Sequence, residues 1–164
     1  EDGELLEYGC HLTIEDGPQM VTHDLTRPGL VIIGDAAGFT LNTGLTIRGM
    51  DLAAGSALAA STAVHAALES GNFSQVAMDR YLSELKSSFV GQDMQTYAKA
   101  PAFLERPRMY KDYGRLAAEV FYGVFNHDLR PRRHIMKVAM DAFKASCLRL
   151  RDLISDGLAG IKAL

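Results

Sequence analysis

Cysteine is scarce. Cys10 and Cys147 are the two in 164 residues, far apart and in no CxxC pair. That excludes an iron–sulfur cluster or a zinc site, each of which needs about four ligands. Two lone thiols fit a reducing cytoplasm better than a disulfide framework. The histidines are scattered: His11, His23, His65, His127 and His134 show no HxxxH or HExxH spacing, so no metal site is expected. Ser56 and Ser61 lie in a helical stretch without a GxSxG elbow, which removes a serine nucleophile. Long apolar runs are missing too. The least polar window, Gly49 to Leu68, is rich in small residues and holds Asp51 and His65, which is too polar for a membrane span. The chain opens with the acidic EDGELLE, not a basic signal-peptide region, and carries no initiator Met. Nowhere does a strand run into GxGxxG, the loop that cradles a dinucleotide pyrophosphate.

What is present is ordinary for a globular chain with a real core: 48% apolar and 23% charged residues. The net charge of −3 is unevenly placed. Residues 1–98 hold four Lys/Arg against 13 Asp/Glu, whereas 99–151 hold 12 against five. Such a basic block marks either a docking surface for a partner or anionic lipid, or simply a solvated helical face. Its densest run, Arg130-Pro131-Arg132-Arg133-His134, has no interleaved aromatics, so nucleic acid is not expected.

Two strands are expected. Leu5 to Ile14 alternates loosely and ends at the turn Glu15-Asp16-Gly17-Pro18. After the turn Arg27-Pro28-Gly29, Leu30-Val31-Ile32-Ile33 is continuously apolar, as in a strand buried on both faces of a parallel sheet. Both strands lack neighbours in the sequence. The rest reads as helix: Gly49–Glu69 stopping at Ser70-Gly71, Ser74–Lys99 halted by Pro101, Asp112–Phe125, Pro131–Leu150, and a tail interrupted by Gly157 and Gly160. Two orphan strands followed by helices suggest a truncated domain.

Chemistry concentrates in Gly34-Asp35-Ala36-Ala37-Gly38-Phe39, Asn42-Thr43-Gly44 and Arg48-Gly49-Met50-Asp51. A buried strand that ends at Gly34 projects Asp35 from its C-terminal edge, where ligands bind in open α/β sheets. A carboxylate there accepts hydrogen bonds from sugar-alcohol hydroxyls. Ala36, Ala37 and Gly38 leave room for a cofactor to lie against the backbone. The helix after Gly49 offers unpartnered N–H groups and the positive end of its dipole, suited to a phosphate or to charge on a reduced flavin. A Gly-Asp turn alone is weak; the ensemble is much more specific.

This block, GDAAGF…LNTGLTIRGMDLA, resembles the second FAD-binding motif of glutathione-reductase-like flavoproteins. Within them it is most similar to FixC-type dehydrogenases, relatives of electron-transfer-flavoprotein–quinone oxidoreductase and of geranylgeranyl reductases. LEYGCHL, and more loosely DMQTYAKAPAFLERPRMY and DGLAGIKAL, extend the likeness. The resemblance implies a truncated α/β FAD-binding fold, with residues 1–70 the last part of the FAD domain and 71–164 a helical C-terminal region. It implies that Gly34 belongs to the cofactor site, that Asp35 meets the FAD ribitol and that Ala36 and Ala37 line the pyrophosphate side. Gly44, Ile47, Arg48 and Gly49 would pass beside the isoalloxazine ring. Arg48 would either stabilise a reduced anionic ring or merely form an ion pair.

The expected activity is electron transfer from an electron-transfer flavoprotein to a ferredoxin-like protein or a quinone. The expected location is cytoplasmic, with peripheral attachment to the inner face of the cell membrane left open. The missing GxGxxG reads as an absent N-terminal half, and the isolated chain as inactive. Missing cluster cysteines agree with members that hand electrons to a separate ferredoxin-like subunit. A prenyl reductase of the geranylgeranyl type, or a helical interaction module without activity, are the alternatives. Among the aromatics, Phe103, Tyr110, Tyr113, Phe121, Tyr122 and Phe125 are expected to serve helix packing more than a quinone.

Overall fold

A computed structural model describes residues 12–164, which are mostly helical with two small antiparallel sheets. Contacts divide the chain into two compact units, one ending at Ala98 and one spanning Lys99–Leu164.

In the first unit a short helix α1 (Gly17–Met20) precedes two hairpins. Strands β1 (Thr26–Arg27) and β2 (Leu30–Val31) pair antiparallel around Pro28-Gly29, with Thr26 opposite Val31. Strands β3 (Leu41–Asn42) and β4 (Ile47–Arg48) pair with Leu41 opposite Arg48. The long helix α2 (Met50–Ser70) is followed by α3 (Gln75–Met78), α4 (Arg80–Ser87) and α5 (Phe89–Thr96).

The core follows from the face of α2. Leu52, Gly55, Ser56, Ala59, Ala60, Ala63 and Ala67 recur at helical spacing and are all buried. Small side chains there let neighbours approach closely: a Cβ at Gly55 would lie 2.5 Å from the Phe89 ring. Tyr81 and Leu85 of α4 and Val90 of α5 join Leu25, Ala37, Phe39 and Leu41 on this face. Helix α2 stops at Gly71, whose φ of +65° lets its N–H return to the Ala67 carbonyl.

Three differences from the sequence expectation have physical causes. The Leu30–Ile33 segment is not buried on both faces. It pairs only along β2, and Leu30 and Ile33 stay 46% and 39% exposed, because no parallel neighbour stands beside it among the described residues. Most of the other expected strand, Leu5–His11, lies outside the described residues, and Leu12–Ile14 form no strand. The expected helix Ser74–Lys99 is three helices. Asp79 and the extended Ser88 interrupt it, and the bend at Ser88 brings Val90 onto α2 beside Tyr81 and Leu85.

In the second unit, Pro101 does not halt a helix but sits in the first turn of α6 (Ala100–Leu104), where its missing N–H costs nothing. A π-helical turn at Met109–Tyr113 leads into α7 (Gly114–Phe125). Helix α8 is Ile135–Ala145, shorter than expected at both ends: it begins after His134, whose side chain accepts the Met136 N–H, and not at Pro131, and it ends at the extended Ser146. Helix α9 (Leu150–Ala163) runs unbroken through Gly157 and Gly160. Gly160 serves packing there, since a Cβ would lie 3.0 Å from the Phe103 ring. Helix α6 packs on α9, and α7 on α8.

Candidate functional site

The glycine-bearing motif forms one tight turn over the head of α2. Gly34–Ala37 is a single 3₁₀ turn, entered from extended Ile33 and closed by Gly38 in the left-handed region. Gly34 and Gly38 have φ of +61° and +82°, which only glycine adopts without strain. Gly38 is also crowded: a Cβ would lie 2.8 Å from the Met20 carbonyl. The Phe39 N–H donates to the Gly34 carbonyl at 3.1 Å, closing the turn.

Within it Gly34 and Ala37 are buried, whereas Asp35 and Ala36 are exposed. The Asp35 carboxylate takes no hydrogen bond among the described residues, and a Cβ at Gly49 would lie 3.8 Å from its Oδ1. Asp35 therefore stands at the N-terminal end of α2, for which Gly49 is the N-cap. The structure brings Gly34, Asp35, Ala36 and Ala37 together with Gly49. Gly44 sits apart, at the tip of the β3–β4 hairpin, with a φ of +80° and its N–H bonded to Asn42 Oδ1 at 2.8 Å. Ile47 is exposed on β4, and Leu45 and Met50 beside it are exposed as well.

Arg48 is engaged by two carboxylates. Its guanidinium reaches Asp51 at 2.5 Å and Asp93 at 2.6 Å, tying β4 to α2 and α5. The hydrogen bond from Arg48 holds the Asp51 carboxyl below the usual carboxylate range, and the same bonds raise Arg48. Neither carboxylate partner was visible as such in the sequence. Asp51 does lie three residues after Arg48, a spacing that faces it on a turn.

The turn is anchored from beneath by two side chains whose role sequence reasoning missed. Ser56 Oγ accepts the Gly34 N–H at 2.9 Å and donates to the Ala53 carbonyl at 2.8 Å. The Tyr81 hydroxyl donates to the Ile32 carbonyl at 3.1 Å, and burial pushes it up to about 12. In the sequence Ser56 was one serine on a helix and Tyr81 part of an apolar stripe.

A second polar cluster lies in the second unit. Asp156, with 3% of its side chain exposed, accepts from Arg106 at 2.7 Å, from Arg108 at 2.8 and 3.1 Å, and from Tyr113 at 2.9 Å. The Arg108 hydrogen bonds, ahead of those from Tyr113 and Arg106, bring its carboxyl down to about 2. The two segments LERPRMY and DGLAGIKAL, far apart in sequence, meet here. Phe103, Met109, Leu153 and Ile161 line an apolar groove of about 350 Å³ beside it. Among the described residues no group of His, Cys, Asp and Glu could hold a metal, and no helix is long and apolar enough to cross a membrane.

The turn thus presents Asp35, whose carboxylate takes no hydrogen bond among the described residues, at the head of α2. Residues 100–164 match the ETF-QO/FixC family C-terminal domain. The chain is 43% identical over 162 residues to the probable electron transfer flavoprotein-quinone oxidoreductase YdiS of Escherichia coli K12, covering 99% of this chain and 37% of that protein. It is 38% identical over 163 residues to Protein FixC of the same strain, again covering 99% and 37%. A third relative, the probable electron transfer flavoprotein-quinone oxidoreductase YgcN, is 30% identical over 128 residues, 78% of this chain and 30% of that one. The chain belongs to the ETF-QO/FixC family, and it spans about 37% of the length of the first relatives it matches.

Proposed function

We propose that this chain is the C-terminal portion of an FAD-dependent oxidoreductase that takes electrons from an electron-transfer flavoprotein and passes them to a ferredoxin-like protein or a quinone. The observation that carries the reading is Asp35, presented on a turn closed by left-handed glycines at the head of α2, with no partner for its carboxylate among the described residues. The names of the relatives supply the class of reaction.

The residues present fit one wall of a flavin site. Asp35 would accept hydrogen bonds from the ribitol hydroxyls. Exposed Ala36 leaves the backbone open to close approach, and Gly49 keeps the head of α2 clear of a side chain. Ile47, with its neighbours Leu45 and Met50, offers apolar surface for the ring. Gly44 gives the hairpin its turn, and Arg48 fixes that hairpin to α2 and α5 through Asp51 and Asp93. When bound, FAD supplies the electron chemistry; the chain's part is to bind it, orient it and set the charge around it.

On this reading residues 1–70 complete an FAD-binding domain of the glutathione-reductase-like fold, and 71–164 form its helical C-terminal region. The exposure of Leu30 and Ile33 supports it, since a parallel sheet would cover both. The direct test is FAD affinity of the whole flavoprotein with and without the Asp35 carboxylate.

A further inference from the structure

We propose that Ser56 and Tyr81 are positioning residues that set how Asp35 is presented to the cofactor; this rests on the FAD reading above. The backbone leading into the turn is held at two points by buried hydroxyls from two different helices. Tyr81, with no exposed surface, comes from α4 and donates to the Ile32 carbonyl. Ser56, equally buried, comes from α2 and accepts the Gly34 N–H. Between these two clamps lies only Ile33, and immediately after them comes Asp35.

The clamps are matched to the backbone they hold. Gly34 is left-handed, and a Cβ there would press on the Ala53 Cβ at 3.3 Å, so this residue lies flat against the first turn of α2. Its N–H points at that helix and has Ser56 as its partner. Ser56 Oγ accepts through a lone pair while its own proton goes to the Ala53 carbonyl, which fixes the oxygen's position. Without the serine oxygen a buried donor is left unpaired, and the turn must twist to bring it to water. Such a twist moves Asp35, one residue on. Tyr81 works on the other side of Ile33, where its ring fills the α2–α4 core and its hydroxyl reaches the Ile32 carbonyl just past β2.

Both residues act through Asp35, so their effects should not add to its loss. The experiment uses the whole flavoprotein, with FAD affinity, visible circular dichroism of the bound flavin, and hydrogen exchange at the Gly34 amide as readouts. Ser56→Ala and Tyr81→Phe remove one oxygen each and leave the packing in place. Each should weaken FAD about three- to tenfold and alter the flavin dichroism. Gly34 exchange should rise in Ser56→Ala. In an Asp35→Ala background neither should weaken FAD further.

Full additivity with Asp35→Ala would overturn the proposal, as would unchanged FAD affinity and dichroism in both single variants while Asp35→Ala weakens binding. If Asp35→Ala itself binds FAD normally, the cofactor reading falls and the positioning role falls with it. Should Ser56→Ala fail to fold, Tyr81→Phe carries the same test from the opposite side of the turn.

Discussion

Asp156→Asn replaces a buried carboxylate by an amide of the same shape and removes the charge that two arginines and a tyrosine share. The size of the loss follows from the folded-state acidity. Its carboxyl lies at about 2 instead of the ordinary 3.8, so the folded chain prefers the ionised form by roughly 2 kcal/mol at neutral pH. The folded value is depressed, so this stability is present above about pH 4 and is lost as pH falls towards 2. Asp156→Asn should therefore lower stability by about 2 kcal/mol near pH 7, and the gap to the parent should close on acidification. Asp156→Ala should cost somewhat more, about 3 kcal/mol, because it takes the carboxylate from Arg106 and leaves Arg108 only Asp152, 3.6 Å away; at 38% and 41% exposure the two arginines are partly solvated, which limits the penalty. Urea unfolding followed by far-ultraviolet circular dichroism at pH 7, 4 and 2.5 reads both effects. A gap between parent and Asn variant that stays constant from pH 7 to 2.5 would refute the charge argument.

Other perturbations separate the remaining parts. Arg48→Gln should let the Asp51 carboxyl rise toward its ordinary value, since the Arg48 hydrogen bond is the main cause of its depression; a side-chain carbon NMR titration that shows no rise would remove that cause. Lys137 and Lys144 are exposed on α8 and make no ion pair among the described residues. Reversing both to Glu should slow association with an acidic electron-transfer partner and flatten its salt dependence, whereas unchanged rates would make the basic block a solvated face. Arg132 is a poor choice for that test, because it already donates to the Val124 carbonyl at the end of α7. Chain 1–164 alone should be colourless and gain little thermal stability from FAD, as part of the cofactor site is missing on our reading; a stoichiometric yellow complex would contradict this.

The backbone of the motif was legible because its geometry is local. The glycines at 34, 38, 44 and 71 each sit at a positive φ, and the Ala-rich stretch after Gly49 forms the long helix its composition demands. Asp35 could be singled out only through the whole glycine-bearing ensemble around it, since a Gly-Asp turn alone is common. The clusters that required tertiary contact were not legible. Nothing local pairs Asp156 with Arg106 and Arg108, some fifty residues earlier, or Arg48 with Asp93. The helix breaks at Asp79 and Ser88 follow from packing on α2 and carry no proline or glycine signal. The strand expectation at Leu30–Ile33 read the apolar run correctly but could not supply the neighbours that bury such a run. Gly157 and Gly160 misled in the opposite way: α9 absorbs both, because Phe103 takes the space beside Gly160.

If Asp35 holds the cofactor, its loss must show in the FAD dissociation constant of the whole flavoprotein before and after Asp35→Ala. Losing charged hydrogen bonds worth roughly 1.5–3 kcal/mol should weaken FAD by about 10- to 150-fold without unfolding the protein. A folded Asp35→Ala protein that binds FAD as tightly as its parent would mean that Asp35 does not hold the cofactor.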